Sequence, residues 1–214
     1  MVSNIDELNQ YDRIYTDSEL DKILTEYFDI MDIDEDQKEK RKELAKDFRN
    51  AMLFLFALSY VAYENEYFSY EYLLTQFRTQ YADALLDFGR NDPYTERYFQ
   101  KVTEDLVQTT FDHFNPEGKD YWTSDERAII IGENEANSVL NYSELQDAIE
   151  AGYEFKTWRT ELDNRVRDSH KEKEGVTIPI DEYFQFDDCE MLFPHDYDNG
   201  TAEQLANCRC TVKY

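Results

Sequence analysis

The chain has 214 residues, a formal net charge of −26 and 15% aromatic residues, with 17 Tyr and 14 Phe. That length and aromatic content suffice for one or two packed domains and argue against disorder throughout. The charge argues against generic nucleic-acid binding: residues 153–214 hold 8 basic and 14 acidic side chains, which leaves 14 basic and 34 acidic, net −20, to the first 152, a surface that repels phosphate backbones.

The first ten residues are polar and acidic, with no apolar run of the kind a secretory signal needs. A short helix is predicted to begin at Asp17-Ser18-Glu19 and run to about Phe28. The acidic turn Asp32 to Asp36 separates it from a long helix over about 37–63, in which Leu44, Phe48, Met52, Leu55, Leu58 and Ala62 recur at helical spacing on one face. Ala51 to Tyr63 is the longest apolar stretch. It is too short for a bilayer core of roughly 30 Å, so it reads as a buried core helix with no membrane partner. A third helix is expected over about 69–89, with Leu74, Phe77, Tyr81, Leu85 and Phe88 in one stripe. Asp92-Pro93 supplies an N-cap followed by proline at the first helical position and opens a fourth, with Phe99, Val102 and Leu106 aligned.

Asn115-Pro116-Glu117-Gly118 breaks the chain. Thr123 to Glu126 has capping-box spacing, and a helix is expected over 123–151 with Gly152 at its left-handed C-cap. Gly132 within it reads as a penalty of about 1 kcal/mol. After Gly152 the texture changes: short strands at Phe155–Trp158 and Val176–Ile178, a turn or two of helix at Arg165–Lys171, another at Ala202–Asn207, and a last strand at Cys210–Tyr214. The fold class is therefore α+β: a helical N-terminal region, 1–122, then a small α+β C-terminal module with a short sheet, 123–214.

In that module Lys156 and Trp158 are followed by Asp163-x-Arg165-x-Arg167-x-x-His170, by Gly175 with a short strand, and by Asn207-Cys208-Arg209-Cys210. With Arg127 to Ile130 and Glu135-Ala136-Asn137 ahead of them, these pieces resemble, in order and spacing, the Mu F-like minor head proteins of bacteriophages. The resemblance runs from Arg127 to the C-terminus, and the first 120 residues carry no family motif. It implies a structural protein of head morphogenesis rather than an enzyme: a minor capsid component made in the host bacterial cytoplasm and placed in the virion, inside the capsid. The partner it implies is the phage portal and/or capsid protein, with links to DNA packaging or delivery in some phages.

The motif residues allow other chemistry. On one helical turn Asp163, Arg167 and His170 would share a face, either as a structural ion pair with a capping histidine or as an acid–base constellation of a metal-dependent or nuclease-like enzyme. No cofactor is required, but thiolates and imidazole are the usual zinc ligands. His170, Cys208 and Cys210 are therefore a candidate metal set, with His195, Cys189 or Asp163 as a fourth ligand. Against this, a C-x-C pair on a regular strand points to opposite faces, and buried thiols that pack the module are the plainer reading. An odd cysteine count with no secretory signal points to a reducing compartment. Trp158 between Lys156 and Arg159 reads as core before it reads as a nucleic-acid patch. Tyr60, Tyr63, Tyr67 and Tyr70 exceed what one core stripe needs and suit a protein contact. An acidic mimic of DNA fits the charge but not the motif order.

Overall fold

In the computed structural model, which describes residues 10–86 and 90–214, helices dominate the first two-thirds: α1 (Asp17–Phe28), α2 (Glu35–Glu64), α3 (Tyr70–Leu85), α4 (Pro93–His113) and α5 (Asp125–Glu150). Local chemistry sets their starts. Thr16 and Glu19 form a reciprocal capping box at α1, while Asp34, Ser69 and Asp92 each accept the third backbone amide of the following helix. The expected box at Thr123–Glu126 does not form. Asp120 caps a short turn over Tyr121–Thr123, so the N-cap of α5 moves to Ser124, which accepts from Arg127 N at 3.2 Å. The α3 stripe is carried by Leu73, Phe77, Tyr81 and Leu85, with Leu74 half-buried, and Phe88 lies outside the described residues.

Leu44, Phe48, Met52, Leu55 and Ala62 of α2 are fully buried, against α3 on one side and α5 on the other. The approach of α2 to α5 is set by Gly132. A Cβ there would drive into the carbonyl oxygen of Ala45, within 3.3 Å of its carbon and 3.4 Å of Arg49 N. At the start of α5, buried Asp125 accepts from Arg49 Nε at 2.6 Å and from Tyr15 N at 2.8 Å, a carboxylate placed where the helix dipole favours it.

The expected division between residues 122 and 123 falls just ahead of α5, and α5 contributes to two cores. Ala128, Ile129, Ala136, Val139 and Leu140 join the helical core, whereas Tyr142 and Leu145 belong to a second core built around Trp158, Phe184, Met191 and Phe193. Gly152, at φ +81°, ends the helix as expected. There follow β1 (Phe155–Arg159), α6 (Asp168–Lys171), β2 (Thr177–Pro179), β3 (Phe184–Gln185), β4 (Glu190–Met191), α7 (Ala202–Leu205) and β5 (Thr211–Lys213). Among the described residues β1 is the centre of a three-stranded antiparallel sheet, order β2–β1–β5, and β3 pairs with β4 in a hairpin that the sequence did not signal. The last strand pairs with β1, Trp158 opposite Val212, and β2, just after Val176, lies on the other side of β1. The last strand is also the one that packs on α5. The whole is α+β, as its sequence pattern predicts.

Candidate metal centre

One turn of helix delivers His170 into the second core, where it is 1% exposed; Cys208 and Cys210 are 3% and 2% exposed. His170 Nδ1 lies 3.5 Å from Cys208 Sγ and 3.4 Å from Cys210 Sγ, and the three potential ligand atoms all fall within 4.8 Å of one another. The alternation that would separate a C-x-C pair does not operate, because both cysteines precede β5. There the backbone is irregular: Asn207 has φ +55°, and the Cys210 amide turns back to donate to Cys208 Sγ at 3.4 Å.

The second imidazole nitrogen fixes the first. His170 Nε2 lies 3.0 Å from Gln204 Oε1, and the Gln204 amide nitrogen donates to Asp188 Oδ1 at 2.9 Å. A carboxylate only accepts, so the glutamine must turn its NH2 to Asp188 and its oxygen to the histidine. The proton therefore sits on Nε2, and the bare Nδ1 lone pair faces the two sulfurs, the arrangement in which an outer partner orients a ligating histidine. Burial pushes the Cys208 thiol up, but its contacts with Cys210, His170 and His195 more than offset it and hold it well below the ordinary range. Cys210 moves the other way, raised by its neighbour Cys208 and by burial. Trp158 stands edge-on to His170, ring centres 5.5 Å apart, and its buried indole N–H has no hydrogen-bond partner. A cavity of about 10 Å³ opens beside the cluster, lined by Glu161, Arg165 and Arg167 as well as the three residues themselves. Burial raises the Glu161 carboxyl to about 7.

None of the expected fourth ligands joins them. His195 Nε2 bonds the Cys208 carbonyl oxygen at 2.6 Å, Cys189 lies beside Thr201 and Asp188, and Asp163 accepts from Arg209 at 2.9 Å. The acid–base constellation of Asp163, Arg167 and His170 does not assemble either. Arg167 is the extended N-cap of α6, so Asp163 precedes the helix and the four-residue spacing places nothing. Arg167 instead donates to the Ala206 carbonyl. The other motif residues make contacts of their own. Lys156 Nζ, buried, donates to Ile180 O at 2.7 Å, and burial lowers its pKa to about 8. Trp158 is fully buried, Arg165 stays exposed 3.7 Å from Asp163, and Gly175 turns the chain at φ +73°.

A polar bridge joins this cluster to the helical core. Asn137 and Asn141, four apart on α5, accept from buried Arg41 of α2 at 3.2 and 3.0 Å. Their own amides donate to Cys208 O at 3.4 Å and Cys210 O at 3.3 Å. Sequence reasoning missed Arg41, Asn141, Gln204 and Glu161. The one signal present was two asparagines at helical spacing in a helix with apolar residues on every face.

Residues 39–213 match the family described as Phage Mu protein F like protein. The chain belongs to that family. This Mu F-like match starts in α2, not at Arg127 as the motifs suggested, and so takes in helices that carry no chemical motif. Its reach follows the physical unit, since α2 and α5 share one core and Arg41 is wired to the cysteine loop. The family is one of phage head proteins. A curated relative, the NAD(+)–arginine ADP-ribosyltransferase EFV of Enterococcus faecalis, is 28% identical over 134 residues, 56% of this chain and 26% of the relative. The chain thus spans about a quarter of that protein's length. No solved structure matches. No described helix is long and apolar enough to cross a membrane.

Proposed function

We propose that this Mu F-like chain is a minor head protein that acts in head morphogenesis inside the capsid and docks on the portal through its helical region. Family membership over residues 39–213 carries the reading. The activity in the relative's name adds no second reading, because the shared segment is 26% of that chain.

The docking surface is best supported at the end of α2. Val61, Tyr63 and Tyr67 are 47%, 51% and 41% exposed; the Tyr63 ring rests on Phe68 and Phe114, whose ring centres are 4.7 Å apart, and the Tyr67 ring on Tyr72. Tyrosines on a firm aromatic base lose little entropy on binding, and tyrosine is enriched at interfaces. Of the four tyrosines expected there, Tyr60 instead turns inward, 3.0 Å from Thr123, and Tyr70 packs against the helical core. The acidic first 152 residues call for a basic patch on the partner and a salt-sensitive association.

The test is co-purification of the full-length chain with its cognate portal protein. A fragment starting at Thr123 would expose the buried face of α5, so Val61→Ser/Tyr63→Ser/Tyr67→Ser in the whole chain replaces it. Capture by portal that weakens at least about tenfold in the variant is expected, as for loss of an interface centre. Capture undiminished by the variant moves docking elsewhere. Capture by neither portal nor capsid protein, with no copy found in virions by mass spectrometry, refutes the head-protein reading.

A further inference from the structure

We propose that His170 Nδ1, Cys208 Sγ and Cys210 Sγ bind one zinc ion, which ties the α6 turn to the approach of β5. Zinc binds sulfur at about 2.3 Å and imidazole nitrogen at about 2.0–2.1 Å, so tetrahedral ligands stand roughly 3.5–3.8 Å apart. The two N···S separations here are 3.5 and 3.4 Å. Two sulfurs and an imidazole select a borderline-soft cation over magnesium or calcium, which take oxygen.

The hydrogen bonding distinguishes this from packed thiols. The single bare lone pair on His170 Nδ1 faces two sulfurs at once, and only one S–H can donate to it. One sulfur is itself approached by an N–H donor, the Cys210 amide on Cys208, and the buried indole N–H of Trp158, whose ring stands edge-on to His170, has no hydrogen-bond partner. An N–H donor on sulfur suits a thiolate, and two buried thiolates beside one imidazole need a cation between them. The Asp188–Gln204–His170 relay then does for this site what an outer carboxylate does for a ligating histidine. Glu161 lines the adjoining cavity, but its carboxylate is not among the ligand atoms that gather within 4.8 Å, so these three residues leave the fourth position to a small guest in that cavity. At about 10 Å³ that cavity admits one atom-sized guest and no substrate. The ion is therefore structural, closing a loop between residues 170 and 208. The inference is independent of where the protein docks.

The experiment uses the full-length chain without a polyhistidine tag, expressed with added zinc, desalted and analysed for metals. About one zinc per chain is expected, released stoichiometrically when a mercurial titrates the thiols. Exchange with Co2+ should give the near-ultraviolet thiolate-to-cobalt charge-transfer band. Cys208→Ser/Cys210→Ser should lose at least about tenfold of the metal, while Cys189→Ser keeps it. Because the double variant can fail to fold, the wild-type cobalt spectrum decides in that case. Less than about 0.1 zinc per wild-type chain with no charge-transfer band overturns the proposal, as does zinc retained in full by a folded double variant.

Discussion

In an isolated helix, Gly132→Ala would stabilise the chain by about 1 kcal/mol, because alanine loses less backbone freedom on folding. The tertiary structure reverses the sign. The added Cβ would drive into Ala45 O, with Ala45 C at 3.3 Å and Arg49 N at 3.4 Å. All three are backbone atoms of α2, so no side chain can rotate out of the way. Two long helices must separate by about 1 Å, which loosens the buried contacts of Ala45, Phe48, Ala128 and Ala136 and strains the Arg49–Asp125 pair. Overpacking of this kind costs about 1–3 kcal/mol, and a backbone clash belongs at the upper end. Less the propensity gain, the net loss is about 1–2 kcal/mol, or roughly 2–8 °C in Tm for a chain of this size. Urea and thermal unfolding followed by circular dichroism measure it. Gly118→Ala is the control, since nothing lies within 4 Å of that Cβ and its effect should stay within about 0.5 kcal/mol. A Gly132→Ala chain as stable as the parent, or more so, would refute the close-crossing account.

Asn141→Ala should cost about 2–4 kcal/mol in urea unfolding, because it strips one partner from buried Arg41 and leaves the Pro194 and Cys210 carbonyls short of a donor; a loss under about 0.5 kcal/mol would show the bridge to be incidental. Burial raises the Glu133 carboxyl from 4.5 to about 8. Over that window the folded chain holds a proton the unfolded chain has released, so stability should fall as pH rises, by at most about 1.4 kcal/mol per pH unit. Glu133→Gln should flatten that slope, and an unchanged pH profile of urea midpoints would count against it. Duplex DNA should not shift in a gel at about 0.15 M salt, and micromolar binding there would contradict the reading of the −26 charge.

Much of this molecule follows from the chain alone. The helices from α1 to α5 were legible because local effects set them: apolar residues at steps of three and four, acidic or hydroxyl caps, a proline at the start of α4 and Gly152 at the end of α5. The family was legible too, through motif residues whose order survives without any knowledge of contacts. What those residues do was not. Asp163 and His170 look like members of one face until the backbone shows that the helix begins at Asp168. The C-x-C pair looks divergent until the turn at Asn207 brings both sulfurs to one imidazole. Gly132 looks like a small local loss until a second helix lies across it. In the last two cases the deciding partner is 30 or more residues away, Ala45 beneath Gly132 and Cys208 beside His170. Periodicity and capping report the free energy of neighbours along the chain. The pairing of strands, the wiring of Arg41 through Asn137 and Asn141, and the convergence on His170 come from burial across it, which only the assembled core decides.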